Sequence, residues 1–347
     1  MTRPIGIGIV GSGRMAARMA GAISTCDATA LRAVMSTSTE RGEAFAGRWG
    51  LDVAVDSVEA LAATPGVDLV YVANASRDHA PASLAALAAG VPVLCEKPFA
   101  TDAASARAVI DAARDSGVFF MEAMWTHALP SHRRLEMRAA SGELGRPLHF
   151  SHDFGYPATE TTRRAQMGPD AGGVLSVRAC YGVSLALRLL GPHEEVAADP
   201  GAAGDAFASL RIHHRDGGIS RIAASAVSLL SNAATLSCER GFLALAPPVI
   251  GSEMVLSARS APAGDAADGK EGLRARLRRR PAARRLWGSV SGPRRDWAPY
   301  GADQYHPLLL HVAAILREGR TESPLMPREA SLGVALLLDA ARNAGGG

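Results

Sequence analysis

Apolar positions in the first third of the chain fall in short unbroken runs separated by stretches of helical pattern. Ile5–Val10 is a run of strand length. It leads through Gly11-Ser-Gly-Arg-Met-Ala16 into a helical pattern reaching about Ser24. Ala30–Met35, Asp68–Ala73, Val91–Cys95 and Val118–Met121 have the same strand character. Glu40–Trp49, His79–Ala89 and Asp102–Ser116 read as the helices between them, with Gly90 as a stop. Repeated strand–helix units predict an α/β fold with a parallel, doubly wound sheet.

Beyond residue 123 the order changes. Leu148–Phe154, Ala206–His214, Ile219–Val227, Ala234–Glu239 and Phe242–Leu245 read as strands, with hairpin turns at Arg215-Asp-Gly-Gly218 and Arg240-Gly241. Gly172–Leu190 is mainly a helix stopped by Gly191-Pro192. Runs of strands after βα units predict a separate α+β domain. The expected division is 1–123 for a dinucleotide-binding domain and 124–347 for a substrate and dimerisation domain, with a basic insertion at 260–300.

Composition narrows the class. The 347 residues are 48% hydrophobic and 20% charged, as in a soluble globular protein of about two domains. A net charge of +3 implies no general affinity for nucleic acid. Cys26, Cys95, Cys180 and Cys238 are widely spaced, without a CxxC pair, so neither a metal site nor a disulfide framework is expected. No run of 18 apolar residues predicts a membrane span, and the first strand is too short for a signal peptide. The expected location is cytoplasmic.

The stretch from Ser260 to Tyr300 is unlike the rest. Ala261–Lys270 is loop-like, and Gly272–Arg295 holds nine arginines and no acid. Leu273 and Leu277 could pin a short helix ended by Pro281. Three readings stay open: a solvated surface excursion, a clamp for an anionic substrate such as a phosphorylated or nucleotide-linked sugar, and nucleic-acid binding. The last lacks aromatic interleaving. A surface excursion is the expectation, with no nucleic-acid partner.

Candidate chemistry begins at Gly11-x-Gly13-x-x-Ala16, the G-x-G-x-x-G/A pattern between a strand and a helix. Gly11 allows the tight turn, Gly13 lets the backbone approach a pyrophosphate, and Ala16 lets helix and strand pack closely. At the end of the second strand, Ser36-Thr-Ser-Thr39 stands where an acid would select NAD(H), with Arg41 one helical turn on. Hydroxyls and a guanidinium suit a 2′-phosphate, so NADP(H) is favoured over NAD(H). The same cluster could also be a turn and helix cap. Lys97 lies just past the strand ending at Cys95, at the edge where open α/β sheets bind ligands. Of 37 lysines and arginines only Lys97 and Lys270 are lysines. A lysine there suggests a need for an amine, which can release its proton as arginine cannot.

Together with Val72-Ala-Asn-Ala-Ser-Arg-Asp-His79, Glu96-Lys97-Pro98 and Met121-Glu-Ala-Met-Trp125, the glycine turn resembles the Gfo/Idh/MocA oxidoreductases, most of all their dihydrodiol dehydrogenase and sugar-ketoreductase branch. The resemblance implies hydride transfer between nicotinamide and a sugar, polyol or diol. It also implies a cis Lys97–Pro98 bond and an open, mostly antiparallel second sheet whose outer face forms a homodimer. Cofactor contacts are expected from Gly11, Gly13, Arg14, Met15, Ser36, Thr37, Arg41, Asn74, His79, Glu96 and Lys97. Substrate contacts are expected from Trp125, His127 and Tyr181, with catalysis by Lys97 and Tyr181 and no metal. His127, standing where the branch usually has Arg, could instead be structural. The family pattern places an Asp four residues before Tyr181, where this chain has Val177. That departure keeps open a non-catalytic NADP(H)-binding sensor or scaffold.

Overall fold

A computed structural model describes residues 3–168, 172–199, 204, 206–260 and 292–345. The chain forms two sheets. The first uses β1 (Ile5–Val10), β2 (Thr29–Met35), β3 (Ala54–Val55), β4 (Leu69–Val72), β5 (Val93–Cys95) and β6 (Phe120–Glu122). All its pairings are parallel, in the order β3-β2-β1-β4-β5-β6. The strand order reverses between β1 and β4, which opens a crevice at their carboxyl ends. Helices α1 (Arg14–Ser24), α2 (Thr39–Trp49), α3 (Val58–Ala62), α4 (His79–Ala88) and α5 (Ala103–Ser116) make the crossovers.

Both faces of this sheet are covered. Ile7, Ile9, Leu69, Tyr71, Leu94 and Met121 join a core that continues into the second sheet through Phe150, Leu210, Ile222 and Leu236. Val10, Val70, Val72, Val93, Cys95 and Phe120 pack on the other side with Ala86 and Leu87 of α4 and Val109 and Ile110 of α5. Burial on two faces explains why these strands are apolar throughout.

A short 3₁₀ turn (Trp125–Ala128) and α6 (Pro130–Ala140) lead to the second sheet. Its strands are β7 (Pro147–Gly155), β8 (His193–Ala198), β9 (Phe207–His214), β10 (Ile219–Ser225), β11 (Ala234–Cys238), β12 (Gly241–Leu245), β13 (Met254–Arg259) and β14 (Arg294–Trp297). The order is β14-β13-β12-β11-β7-β10-β9-β8, antiparallel except between β7 and β10. Between β7 and β8 run α7 (Glu160–Met167), a π-helical turn (Leu175–Ala179) and α8 (Cys180–Leu190). Two last helices, α9 (His306–Arg317) and α10 (Arg328–Gly345), follow β14. Helix α10 reaches back to the first sheet, where Asp339 accepts from the Ala103 amide at 2.7 Å and caps the start of α5.

Strands and helices read from sequence match within two residues, apart from the start of the 172–190 helix, which opens as a π turn. Three expectations need correction or limits. Leu210, Ile212, Ile222 and Ala224, whose alternation in the sequence suggests apolar residues on both faces of a dimer-forming sheet, do not spread over both. All are buried on the α8 side, because alternate residues share a face. The outer face shows Arg211 and Arg221, directly opposite each other in the β9–β10 register. The basic excursion does not extend through Tyr300: Arg294–Trp297 is an edge strand paired to β13, with Arg294 and Arg295 exposed. Charges on an edge discourage further strand addition. Residues 261–291, including Leu273, Leu277, Pro281 and the other seven arginines, lie outside the described residues.

Candidate active site

The crevice at the end of the first sheet is a cleft of about 910 Å³ that runs on toward α7 and α8. Its glycine-turn wall begins where the Gly11 amide donates to Met35 O at 2.8 Å. Gly11 has φ +104°, and a Cβ there would stand 2.9 Å from Ala73 O, so a side chain is excluded twice over. Gly13 is the extended N-cap of α1 and has no side chain to occupy the amides of the first turn. No acid stands in that turn. Arg14 and Met15 follow on the cleft wall. A pyrophosphate fits such a helix start, where N–H groups and the helix dipole both favour an anion.

At the end of β2, Ser36, Thr37 and Arg41 line the same cleft. Ser36 is buried, its Oγ 3.3 Å from Ser12 Oγ, while Ser38 caps α2 by accepting from the Arg41 amide at 3.3 Å. The hydroxyl run is therefore both a cap and a cleft wall. After β4, Asn74 donates through Nδ2 to Asp78 O at 3.3 Å, while its Oδ1 has no partner among the described residues. An acceptor left in that state fits a ribose hydroxyl. His79 is buried, with Nδ1 2.8 Å from Pro98 O and Nε2 3.3 Å from Asn74 O. Burial lowers its pKa against those bonds. It ties the loop after β4 to the loop after β5.

The loop after β5 carries Glu96 and Lys97. Glu96 is buried, accepting from Tyr71 O–H at 2.5 Å and from the Lys97 amide at 3.2 Å. Burial raises its pKa, with the Lys97 charge and these bonds opposing. The Lys97–Pro98 bond is cis, as the resemblance implies. Lys97 Nζ donates to Val177 O at 2.8 Å and lies 5.0 Å from the centre of the Tyr181 ring. Tyr181 accepts from Trp125 Nε1 at 3.2 Å. Indole nitrogen can only donate, so the phenol keeps its own proton to give elsewhere. Burial pushes the Tyr181 pKa well up, which keeps the free phenol protonated near neutrality.

Every expected site residue but one lines this cleft, and Val177 joins them. The exception is His127. It is fully buried, with Nε2 2.8 Å from Ser184 Oγ, and does not reach the cleft. Its expected substrate contact is therefore corrected to a structural place: the 3₁₀ turn sends residues 125 and 127 in different directions.

Arg164 and Tyr305 also line the cleft and carry no motif, and Arg77 lines it from within the Val72–His79 segment. Tyr305 packs its ring 5.0 Å from that of Trp125, and Arg18 sits 5.7 Å from its ring centre. Scarcity was the available signal, since Tyr181 and Tyr305 are two of only five tyrosines. Among the described residues no group of three or more metal-ligating side chains is gathered.

This geometry agrees with what the chain is similar to. Residues 5–124 match the family model described as "Oxidoreductase family, NAD-binding Rossmann fold", and residues 132–244 match the "GFO/IDH/MocA C-terminal domain". The chain belongs to the Gfo/Idh/MocA family. Among curated members it is 35% identical over 145 residues to the mouse (Mus musculus) trans-1,2-dihydrobenzene-1,2-diol dehydrogenase, covering 42% of this chain and 44% of that one. It is 42% identical over 115 residues to the 1,5-anhydro-D-fructose reductase of Ensifer adhaerens, covering 33% and 34%. These matches span less than half the length of either relative. Solved structures of the same fold cover nearly the whole chain. A levoglucosan dehydrogenase with NADH and levoglucosan has TM-score 0.80 at 17% identity, over 99% of this chain and 97% of the other. A 3-ketoreductase from Actinomadura kijaniata with NADP and TDP-benzene has TM-score 0.76 at 22% identity, over 99% and 98%. At these identities the likeness speaks for the fold.

Proposed function

We propose that this protein is an NADP(H)-dependent oxidoreductase that interconverts a hydroxyl and a carbonyl group on a sugar, polyol or diol. The observation that carries the reading is the Lys97 amine, held beside the Tyr181 ring in the cleft that begins at the glycine turn. The amides at the start of α1, with Arg14 and Met15, would hold the pyrophosphate. Asn74 would hold a ribose. Ser36, Thr37 and Arg41 would take a 2′-phosphate, with no acid at the β2 end to repel it. When bound, the nicotinamide supplies the means to accept or donate a hydride. Lys97 polarises the substrate oxygen, and Tyr181 gives it a proton or takes one back. Trp125 and Tyr305 form an aromatic wall that excludes water. The curated relatives named for a diol and for an anhydrosugar support that substrate class.

The working division is between residues 1–123 and 124–347, with α10 returning across it. We place the protein in the cytoplasm, consistent with four free cysteines. No helix among the described residues is long and apolar enough to cross a membrane. A homodimer through the outer face of the second sheet would cover Arg211, Arg221 and their neighbours. Light scattering is expected to give twice 36.0 kDa.

The test is oxidation of NADPH against a panel of ketosugars, and reduction of NADP against trans-diols, with NADPH and NADH binding titrated side by side. Turnover with tighter NADPH binding is expected. Tight NADPH binding without turnover on any panel member would favour the sensor or scaffold reading.

A further inference from the structure

We propose that His127 is a positioning residue: through Ser184 it forms the second of two struts that set Trp125 against Tyr181. The proposal rests on the reading above, in which Tyr181 serves the substrate oxygen.

Trp125 and His127 stand two residues apart on the 3₁₀ turn that follows β6. Tyr181 and Ser184 stand three apart on α8, and so share a helix face. Trp125 Nε1 donates to Tyr181 Oη at 3.2 Å, and His127 Nε2 lies 2.8 Å from Ser184 Oγ. Two bonds side by side therefore lash the turn to the helix. A single bond would leave a pivot; two restrict rotation of the turn over the helix.

The second strut is itself anchored. His127 Nδ1 faces Glu136 Oε1 of α6 at 3.4 Å. Arg188, one turn beyond Ser184, holds Glu136 with two bonds of 3.0 and 2.6 Å and donates to Leu325 O at 2.9 Å. Tyr181, Ser184 and Arg188 thus form one stripe on α8, facing the turn and α6. The 3.4 Å approach of the carboxylate to Nδ1 falls outside hydrogen-bond geometry, yet its charge favours the imidazole proton on Nδ1 and leaves Nε2 to accept from Ser184. That tautomer is inferred from the partners. Burial lowers the His127 pKa, which keeps the ring neutral. Against the burial that would raise it, Glu136 is held down to about 2 by the neighbouring His127 ring and the two bonds from Arg188.

His127 is fully buried and Ser184 is 2% exposed. Filling this space alone would be done better by apolar side chains, since buried polar groups cost stability unless bonded. What the polar pair adds is direction at a fixed distance from the residue that faces the substrate.

The experiment compares Ser184→Ala, His127→Leu and His127→Gln with the parent. Turnover and cofactor KM are measured alongside the indole N–H resonance of Trp125 in ¹⁵N-tryptophan-labelled protein, assigned by its loss in Trp125→Phe. A displacement of roughly an ångström at a reacting group costs up to about 100-fold. Ser184→Ala and His127→Leu are accordingly expected to lower kcat by roughly 10- to 100-fold. Cofactor KM should stay within about twofold, and the Trp125 resonance should move. His127→Gln, whose amide reaches Ser184, should recover most of the rate. An unmoved resonance overturns the proposal, as does unchanged turnover despite a moved one. Equal loss in His127→Gln would reduce His127 to packing. If the parent itself shows no turnover, the oxidoreductase reading fails, and the resonance alone decides the strut.

Discussion

Lys97 Nζ donates to the main-chain oxygen of Val177 at 2.8 Å. That oxygen belongs to the π-helical turn before α8, whose widened pitch shows in the Cys180 amide bonding back to Leu175 O. Such turns are rare and concentrate at functional sites. A carbonyl has two lone pairs, so it can receive the lysine beside any helical bond. The side chain at 177 is apolar, yet the amine is not left unpartnered. Position 177, where the resemblance implies an Asp, serves the lysine through its backbone.

Lys97→Ala is expected to lower kcat by roughly 10²–10⁴-fold, the usual worth of acid–base assistance. Cofactor affinity should be nearly unchanged, because the glycine turn and the β2 end stay intact. Lys97→Arg should fail almost as badly: a planar guanidinium does not replace a compact ammonium bonded to one carbonyl. Full activity in Lys97→Arg, measured at saturating cofactor, would remove the lysine from the chemistry.

Gly172→Ala tests the other side of the same bond. Gly172 has φ +77°, and a Cβ there would come 2.5 Å from Ser176 Oγ, the residue before Val177. The conformation alone costs an alanine about 1–2 kcal/mol. The clash should move the π turn and with it the Lys97 partner. The expected result is a fall in kcat of roughly tenfold or more, with cofactor KM unchanged. Normal kcat would mean that the turn tolerates the shift without disturbing Lys97.

Arg41→Ala is expected to weaken NADPH binding roughly tenfold, about the worth of one hydrogen bond to a charged group, and to leave NADH within about twofold. Fluorescence titration of both cofactors checks it. Equal loss for both would place Arg41 on a part they share and leave the NADP preference without support.

Much of this site was legible because it hangs on strand ends. Ile5–Val10 and Val91–Cys95 announce themselves as buried strands, so Gly11 and Lys97 fall at the carboxyl edge without any tertiary knowledge. Tyr305 and Arg164 did not show, because long-range folding brings them there from segments with no periodic signal. His127 misled for a local reason: two residues after Trp125, it shares the 3₁₀ turn but not the direction. Strand β14 was hidden by charge. Arg294-Arg-Asp-Trp297 reads as a polar loop, and only its pairing with β13 makes it a strand.

Glu122 carries the last prediction. It closes β6 with its side chain buried, and its Oε1 accepts from the Phe99 amide, just beyond Lys97-Pro98, at 3.4 Å. Burial pushes its pKa from the ordinary 4.5 up to about 7, with the Ser331 hydroxyl, the Phe99 amide and the Lys97 charge offsetting only part. The sign follows from proton counts. Below pH 4.5 both folded and unfolded chains hold this proton, and the group is neutral to stability. Between 4.5 and 7 the unfolded chain releases a proton that the folded chain keeps, so stability falls as pH rises. Above 7 the loss levels off, at about 3 kcal/mol at most. Glu122→Gln keeps the acceptor for Phe99 and removes the titration. It should match the parent near pH 5 and exceed it at pH 8 by up to about 3 kcal/mol in denaturant unfolding. Buried His132 and His152, with pKa values lowered by burial to about 3 and about 4, act in the opposite sense below their ordinary 6.5. They are common to parent and variant, and cancel in the difference. A difference that does not grow between pH 5 and pH 8 would show that Glu122 ionises as readily in the fold as outside it.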